Sequence, residues 1–147
     1  MADNKDSIAR SWNMSRIHAK DTKPELAVRK YLFSKGFRYK KNYSKLPGTP
    51  DIVLPKYRAV IFIHGCFWHK HNCSRFKWPQ SHQEYWENKI NSNVLRDLKI
   101  KNELESLGWH VIVVWECELK KHLFNDRMSK LEKQILFYTK FASTLDT

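Results

Sequence analysis

Residues 59–73 read AVIFIHGCFWHKHNC. The first six are apolar without interruption until a closing histidine, the signature of a strand covered on both faces. The last ten, 64–73, hold three histidines, two of the three cysteines and an adjacent Phe-Trp pair. A doubly buried strand running into a loop rich in metal-ligating and aromatic side chains predicts an α/β fold with its chemistry at one strand end. WHVIVVW, residues 109–115, is a second run of the same kind, followed two residues later by the third cysteine, Cys117.

Working outward, DIVL (51–54) predicts a short strand and FRYKKNY (37–43) an alternating one, separated by the turn LPGTP (46–50). PKYR, residues 55–58, turns the chain into the central strand. Upstream, DTKPELAVRKYLFSKG predicts a helix capped by Asp21 or Thr22, with Pro24 in its first turn, Gly36 at its end and Ala27, Val28, Tyr31 and Leu32 on its inner face. Downstream, SHQE (81–84) has capping-box spacing and opens a long helix that runs to about Leu107 and stops at Gly108. On it, Trp86, Lys89, Asn93 and Arg96 share one face, and Ile90, Val94 and Leu98 the neighbouring core-facing arc. A closing helix carries Leu131, Ile135, Tyr138 and Phe141 at helical spacing. The order α-β-β-β-α-β-α predicts a mixed central sheet with helices on both faces. Residues 1–20 are polar and basic and form an arm; 21–147 form a single domain.

Composition narrows the partner. Twenty-seven Lys and Arg against 15 Asp and Glu leave a formal charge of +12 on 147 residues, which favours a polyanion. Six tryptophans exceed what so small a core uses, and spare aromatics beside basic residues suit base stacking. No apolar run approaches the roughly 18 to 20 residues of a membrane span, and the first residues lack a signal-peptide core. The expectation is a cytoplasmic protein without membrane contact, associated with the nucleoid through DNA.

Two constellations carry chemistry. Cys66, His71 and Cys73 form C-x4-H-x-C, and with Cys117 make a Cys3His set, the soft tetrahedral donor set of structural zinc. His69 and His82 are rival fourth ligands, and three unrelated buried thiols are the plainer reading. Asp51 stands at a strand start after a turn, where a nuclease holds Mg2+. The commoner use of an aspartate so placed is as a turn residue capping its own backbone. The next strand ends in Ile63, His64 and Gly65, so it offers neither a second carboxylate nor a lysine. Glu25 supplies an outer carboxylate, and His64 and His69 are the histidines placed to move protons.

PELAVRKYL, LPGTPDIVL, VIFIHGCFWHKHNC and LGWHVIVVWECEL together resemble the very short patch repair (Vsr) endonucleases, over about residues 13–119. The resemblance implies a restriction-endonuclease-like αβββαβ core. It implies an Mg2+-dependent enzyme that nicks one strand 5′ of the thymine in a T:G mismatch, the product of 5-methylcytosine deamination. It makes Asp51 the Mg2+ ligand with the main chain of Ile63, His69 the general base, and Glu25 and His64 supporting groups. It assigns Zn2+ to Cys66, His71, Cys73 and Cys117. Phe67, Trp68 and Trp86 enter the DNA stack, Met14 enters from the opposite groove, and Lys89 and Asn93 contact the mismatched bases. This chain departs from the pattern at Ile63, where threonine is known in the family. The competing classes are a zinc-stabilised DNA-binding module without catalysis and a restriction-type nuclease of other specificity. One nick needs one active site, so a monomer is expected, with downstream repair proteins as further partners.

Overall fold

A computed structural model describes residues 21–145; the predicted arm, with Met14, lies outside them. Three helices and four strands follow in the predicted order: α1 (Lys23–Ser34), β1 (Lys40–Lys41), β2 (Ile52–Leu54), β3 (Ala59–His64), α2 (Gln83–Ser106), β4 (His110–Trp115) and α3 (Phe124–Leu145). The sheet order is β1-β2-β3-β4, antiparallel in the first two pairings and parallel between β3 and β4. The parallel pair is possible because α2 provides the long crossover that parallel strands require.

Side-chain alternation divides the molecule into two layers about this sheet. Ile52, Leu54, Ala59, Ile61, Ile112 and Val114 face α1 and α3, where Val28, Leu32, Met128, Leu131 and Ile135 complete one core. Val53, Val60 and Phe62 face the other way and pack with Leu104 of α2 and its neighbour Ile100. Across the first layer, the Tyr31 hydroxyl donates to Glu132 at 2.7 Å and joins α1 to α3. The predicted mixed sheet with helices on both faces is therefore present.

Four local expectations are corrected. α1 turns Glu25, Val28, Arg29 and Leu32 inward, and Ala27 lies outside. The stripe is rotated because two charged residues, not alanine, occupy the inner face beside the cleft. Only Lys40–Lys41 of the 37–43 segment is strand: Asn42 adopts φ 47°, a left-handed conformation that ends the ladder. The SHQE box does not form. His82 takes φ 54° and ψ 44°, outside the extended region a capping residue needs, and α2 starts at Gln83 without a side-chain cap. A capping pair that does form is Thr22 with Glu25: the Thr22 hydroxyl accepts from the Glu25 N–H at 3.4 Å, and Glu25 in turn accepts from the Asp21 N–H at 2.9 Å.

The fourth correction concerns the core-facing arc of α2. Ile90 is buried, but Val94 is 36% and Leu98 56% exposed. α2 is held near its start and at its end, and its middle stands off the sheet. The space beneath is a cleft. Leu131 and Ile135 of α3 are buried as expected and Tyr138 packs beside them, whereas the Phe141 side chain lies outside the described part.

Candidate active site and metal centre

Parity along the strands decides what faces this cleft. Asp51 precedes Ile52, so it shares a face with Val53; His64 shares one with Phe62, and Trp115 with Val113. All four of Asp51, Phe62, His64 and Trp115 line a cavity of about 820 Å³, joined by Glu25 from α1, His69 from the loop after β3, and Asn93, Val94, Arg96 and Asp97 from α2. Residues from the two ends of the chain thus meet at one end of the parallel pair.

Asp51 is held rigidly. Its Oδ2 accepts the Ile63 N–H at 2.7 Å. Burial pushes the carboxyl up to about 7, and the nearby Glu25 charge adds to the rise; the Ile63 bond, Arg29 and His69 oppose it. Glu25 is itself buried, at 4% exposure, fixed by the capping bonds of α1. Arg29, one turn on, reaches Asp21 Oδ1 at 2.7 Å. A carboxylate buried beside a second one, as Asp51 is beside Glu25, suits a hard divalent cation that would offset their charge.

The histidines form a pair. The rings of His64 and His69 stack at 3.8 Å with 4° between their planes. His69 Nδ1 lies 2.5 Å from Asp97 Oδ2, leaving Nε2 for chemistry. Burial pushes His64 down to about 4, and the neighbouring His69 lowers it further, so it stays neutral at physiological pH. His64, His69 and Asp97 bring ligand-type atoms within 4.8 Å of one another. The stacked rings and the His69–Asp97 hydrogen bond hold these three side chains together on one wall of the cleft.

Asp97 was not among the residues singled out in the sequence. It follows Asn93 by one helical turn, and both hold the same loop: the Asn93 amide donates to the Trp68 carbonyl at 3.0 Å while Asp97 takes His69. The signal available in the sequence was that i, i+4 spacing on the face already carrying Trp86, Lys89 and Asn93.

Cys66, His71, Cys73 and Cys117 converge, with all ligand atoms within 4.8 Å of one another. Of the rival fourth ligands, His69 is committed to Asp97, and His82 lies at the start of α2 with Nε2 buried and unpartnered. The strand register explains the convergence. His64 pairs with Trp115 across the parallel ladder, and a cysteine follows each two residues later. The loop between Cys66 and His71 is closed by the His71 N–H donating to the Cys66 carbonyl at 2.9 Å. Burial pushes the Cys66 thiol up to about 12, so a bound cation is what would draw off its proton.

Beside this cluster, Phe67, Trp68 and Trp86 pack with ring centroids 5.2–6.0 Å apart. Phe67 and Trp68 are partly exposed; Trp86 is buried beneath them at 7% exposure. Lys89 is half-buried one turn further along α2.

The model of the DNA mismatch endonuclease Vsr family matches residues 2–75. The chain is 45% identical over 120 residues to the DNA mismatch endonuclease Vsr of Escherichia coli K12, covering 82% of this chain and 77% of that protein. The chain belongs to the Vsr family. It is 52% identical over 127 residues to the type II nicking enzyme V.NmeAIP of Neisseria meningitidis serogroup A, covering 86% of this chain and 91% of the relative. A third relative, V.XorIIP of Xanthomonas oryzae pv. oryzae, is also called a type II nicking enzyme and is 45% identical over 119 residues, 81% of this chain and 88% of its own. As a Vsr-family protein the chain is a DNA-cleaving hydrolase, and DNA is its partner. None of its described helices is long and apolar enough to cross a membrane.

Proposed function

We propose that this Vsr-family chain nicks one strand of duplex DNA 5′ of the thymine in a T:G mismatch. The observation that carries the reading is one loop in which the partly exposed Phe67–Trp68 pair immediately precedes His69, which is held by Asp97 in the cleft that Asp51 also lines. A wedge that opens a base step costs a few kcal/mol, and the cost is lower at a weak pair. A mismatch therefore admits the wedge more readily than matched DNA, and insertion brings the adjacent phosphate toward the base. The nicking and mismatch activities named for the relatives support the same reading, as the αβββαβ order supports a restriction-endonuclease-like core.

Asp51, with the main chain of Ile63 and with Glu25 behind, would hold Mg2+; the buried, closely set carboxylates fit a hard cation. When bound there, Mg2+ supplies a Lewis acid for the charge that builds on the phosphate oxygens. His69 takes the proton of the attacking water at Nε2, while Asp97 fixes the tautomer and stabilises the imidazolium. His64, neutral and stacked on His69, keeps that ring in place. Three thiolates and one imidazole with no open position fit structural Zn2+, which would staple the ends of β3 and β4. Trp86 backs the wedge, Lys89 and Asn93 address the mismatched bases, and Met14 retains the opposite-groove role implied by the resemblance. One active site per chain suits a monomer.

The test is nicking of a T:G duplex beside its matched counterpart, with and without Mg2+. Strand-specific, metal-dependent cleavage of the mismatch alone is expected. Equal cleavage of both duplexes would indicate a restriction-type specificity, and binding without cleavage would indicate a DNA-binding module.

A further inference from the structure

Trp115 is the last residue of β4 and sits between the two centres just described. Its ring stacks on that of His71, a cluster residue, at 4.0 Å and 10°. Toward the cleft it meets His64 edge-on at 5.4 Å and 71°, and His69 at 6.5 Å and 69°. Its backbone is held independently, because its N–H donates to Glu118 Oε1 at 2.8 Å. The register that pairs it with His64 fixes its side chain on the cleft face. We propose that Trp115 is a positioning residue: by lying flat on His71 and edge-on to His64 and His69, it transfers the rigidity of the metal cluster to the histidine that acts as base.

The physical reason is that the histidine pair is short of restraints. In the described residues, Asp97 holds one nitrogen of His69, but nothing hydrogen-bonds the His64 ring, whose orientation rests on aromatic packing. Edge-to-face and stacked contacts are directional, so together they select one ring orientation. The tryptophan also links the only two clusters of metal-type ligands among the described residues. Loss of cluster metal should accordingly disable the base before the fold is lost.

This inference rests on His69 being the base, so the experiment separates the two claims. The substitutions are Trp115→Leu and Trp115→Phe, with His69→Ala as control. Zinc content, affinity for T:G duplex, single-turnover nicking and the downfield proton resonance of the His69–Asp97 hydrogen bond are measured for each. Trp115→Leu is expected to keep zinc and DNA affinity, lose or broaden the resonance and nick about tenfold or more slowly, since misplacement of about 1 Å costs up to about a hundredfold. Trp115→Phe, which keeps an aromatic face but a shorter reach, should fall between it and the wild type. A wild-type rate and an unchanged resonance in folded Trp115→Leu would overturn the proposal. If that variant does not retain zinc, the same result in Trp115→Phe overturns it. Full nicking by His69→Ala would instead defeat the assignment of the base, while the resonance would still report whether Trp115 orders the pair.

Discussion

The Cys/His cluster and the cleft stand at the same ends of the same two parallel strands, yet they are built differently. The cluster draws three of its four residues from eight consecutive positions, Cys66 to Cys73, and the fourth from the matching end of β4. The cleft draws Glu25, Asp51, His64, His69 and Asp97 from two helices, two strand ends and a loop. The cluster has its donors turned on one another, as a part that holds shape does. The cleft opens its donors on a cavity of about 820 Å³, as a part that acts on another molecule does. Removing a group from each should have opposite consequences.

The largest effect is expected in the cleft. Asp51→Ala should lower single-turnover nicking by about a thousandfold or more, and His69→Ala by about 10²–10⁴-fold, the usual worth of a positioned base. Both should bind mismatched duplex as the wild type does and melt no lower. Because Asp51 is buried and ionises at a cost, Asp51→Ala should if anything melt higher without Mg2+. A large fall in melting temperature with either variant would erase the division between a part that holds shape and a part that reacts.

In the cluster, Cys117→Ser should lose the bound metal and destabilise the fold by on the order of several kcal/mol, since a site that exists only in the folded chain makes metal binding part of the folding free energy. Elemental analysis beside thermal melting checks it. Metal retained with an unchanged melting temperature would remove the structural role.

The wedge stands between the two regions. Trp68→Ala should reduce the ratio of mismatch to matched affinity about five- to a hundredfold, following roughly 1–3 kcal/mol per stacked base. Phosphate contacts bind either duplex and fall with salt, so both affinities are to be measured at one salt concentration. A folded variant with an unchanged ratio would show that selectivity lies elsewhere.

The smallest effect is in pH dependence. Asp51, raised to about 7, contributes stability to the Mg2+-free protein that is present below its unfolded value near 4 and lost as pH rises through 7. His64, lowered to about 4, contributes the opposite: stability present above its unfolded value near 6.5 and lost as pH falls through 4. Between pH 4 and 6.5 the two slopes oppose one another. Melting temperatures of the zinc-loaded, Mg2+-free protein should thus be nearly flat there. Asp51→Asn should uncover a fall in stability with falling pH, and His64→Phe a rise. With Mg2+, which binds the ionised carboxylate, affinity should weaken about tenfold per pH unit below 7.

Much of this was legible in the residues because it is local. The apolar runs of β3 and β4, the meander before them and the helix between them follow from patterns of a few residues each. The cluster was legible for the same reason: thiols and imidazole at short spacing have few other uses. The misreadings share a cause. SHQE has the letters of a cap, but His82 takes a left-handed conformation that no spacing rule contains. Val94 and Leu98 have the period of a buried face, but α2 is lifted from the sheet at its middle. Asp97 is marked in the sequence only by its i, i+4 spacing from Asn93, and becomes significant only where α2 passes His69.

What the sequence determined by itself is therefore the inventory: an α/β chain of Vsr type, strongly basic, with its thiols, histidines and Phe-Trp pair at the end of one buried strand. The α/β pattern and the charge follow from composition and short-range periodicity, and the Vsr type from the resemblance of its motifs, all of which the chain carries in every conformation. What only the tertiary structure decided is which groups meet: Asp51 beside Glu25, His69 on Asp97, and Trp115 between His71 of the cluster and the His64–His69 pair. Those contacts depend on the parallel register of β3 and β4 and on the path of α2. They join residues as much as 51 positions apart, His64 to Trp115, and packing, not sequence proximity, sets the distance between them.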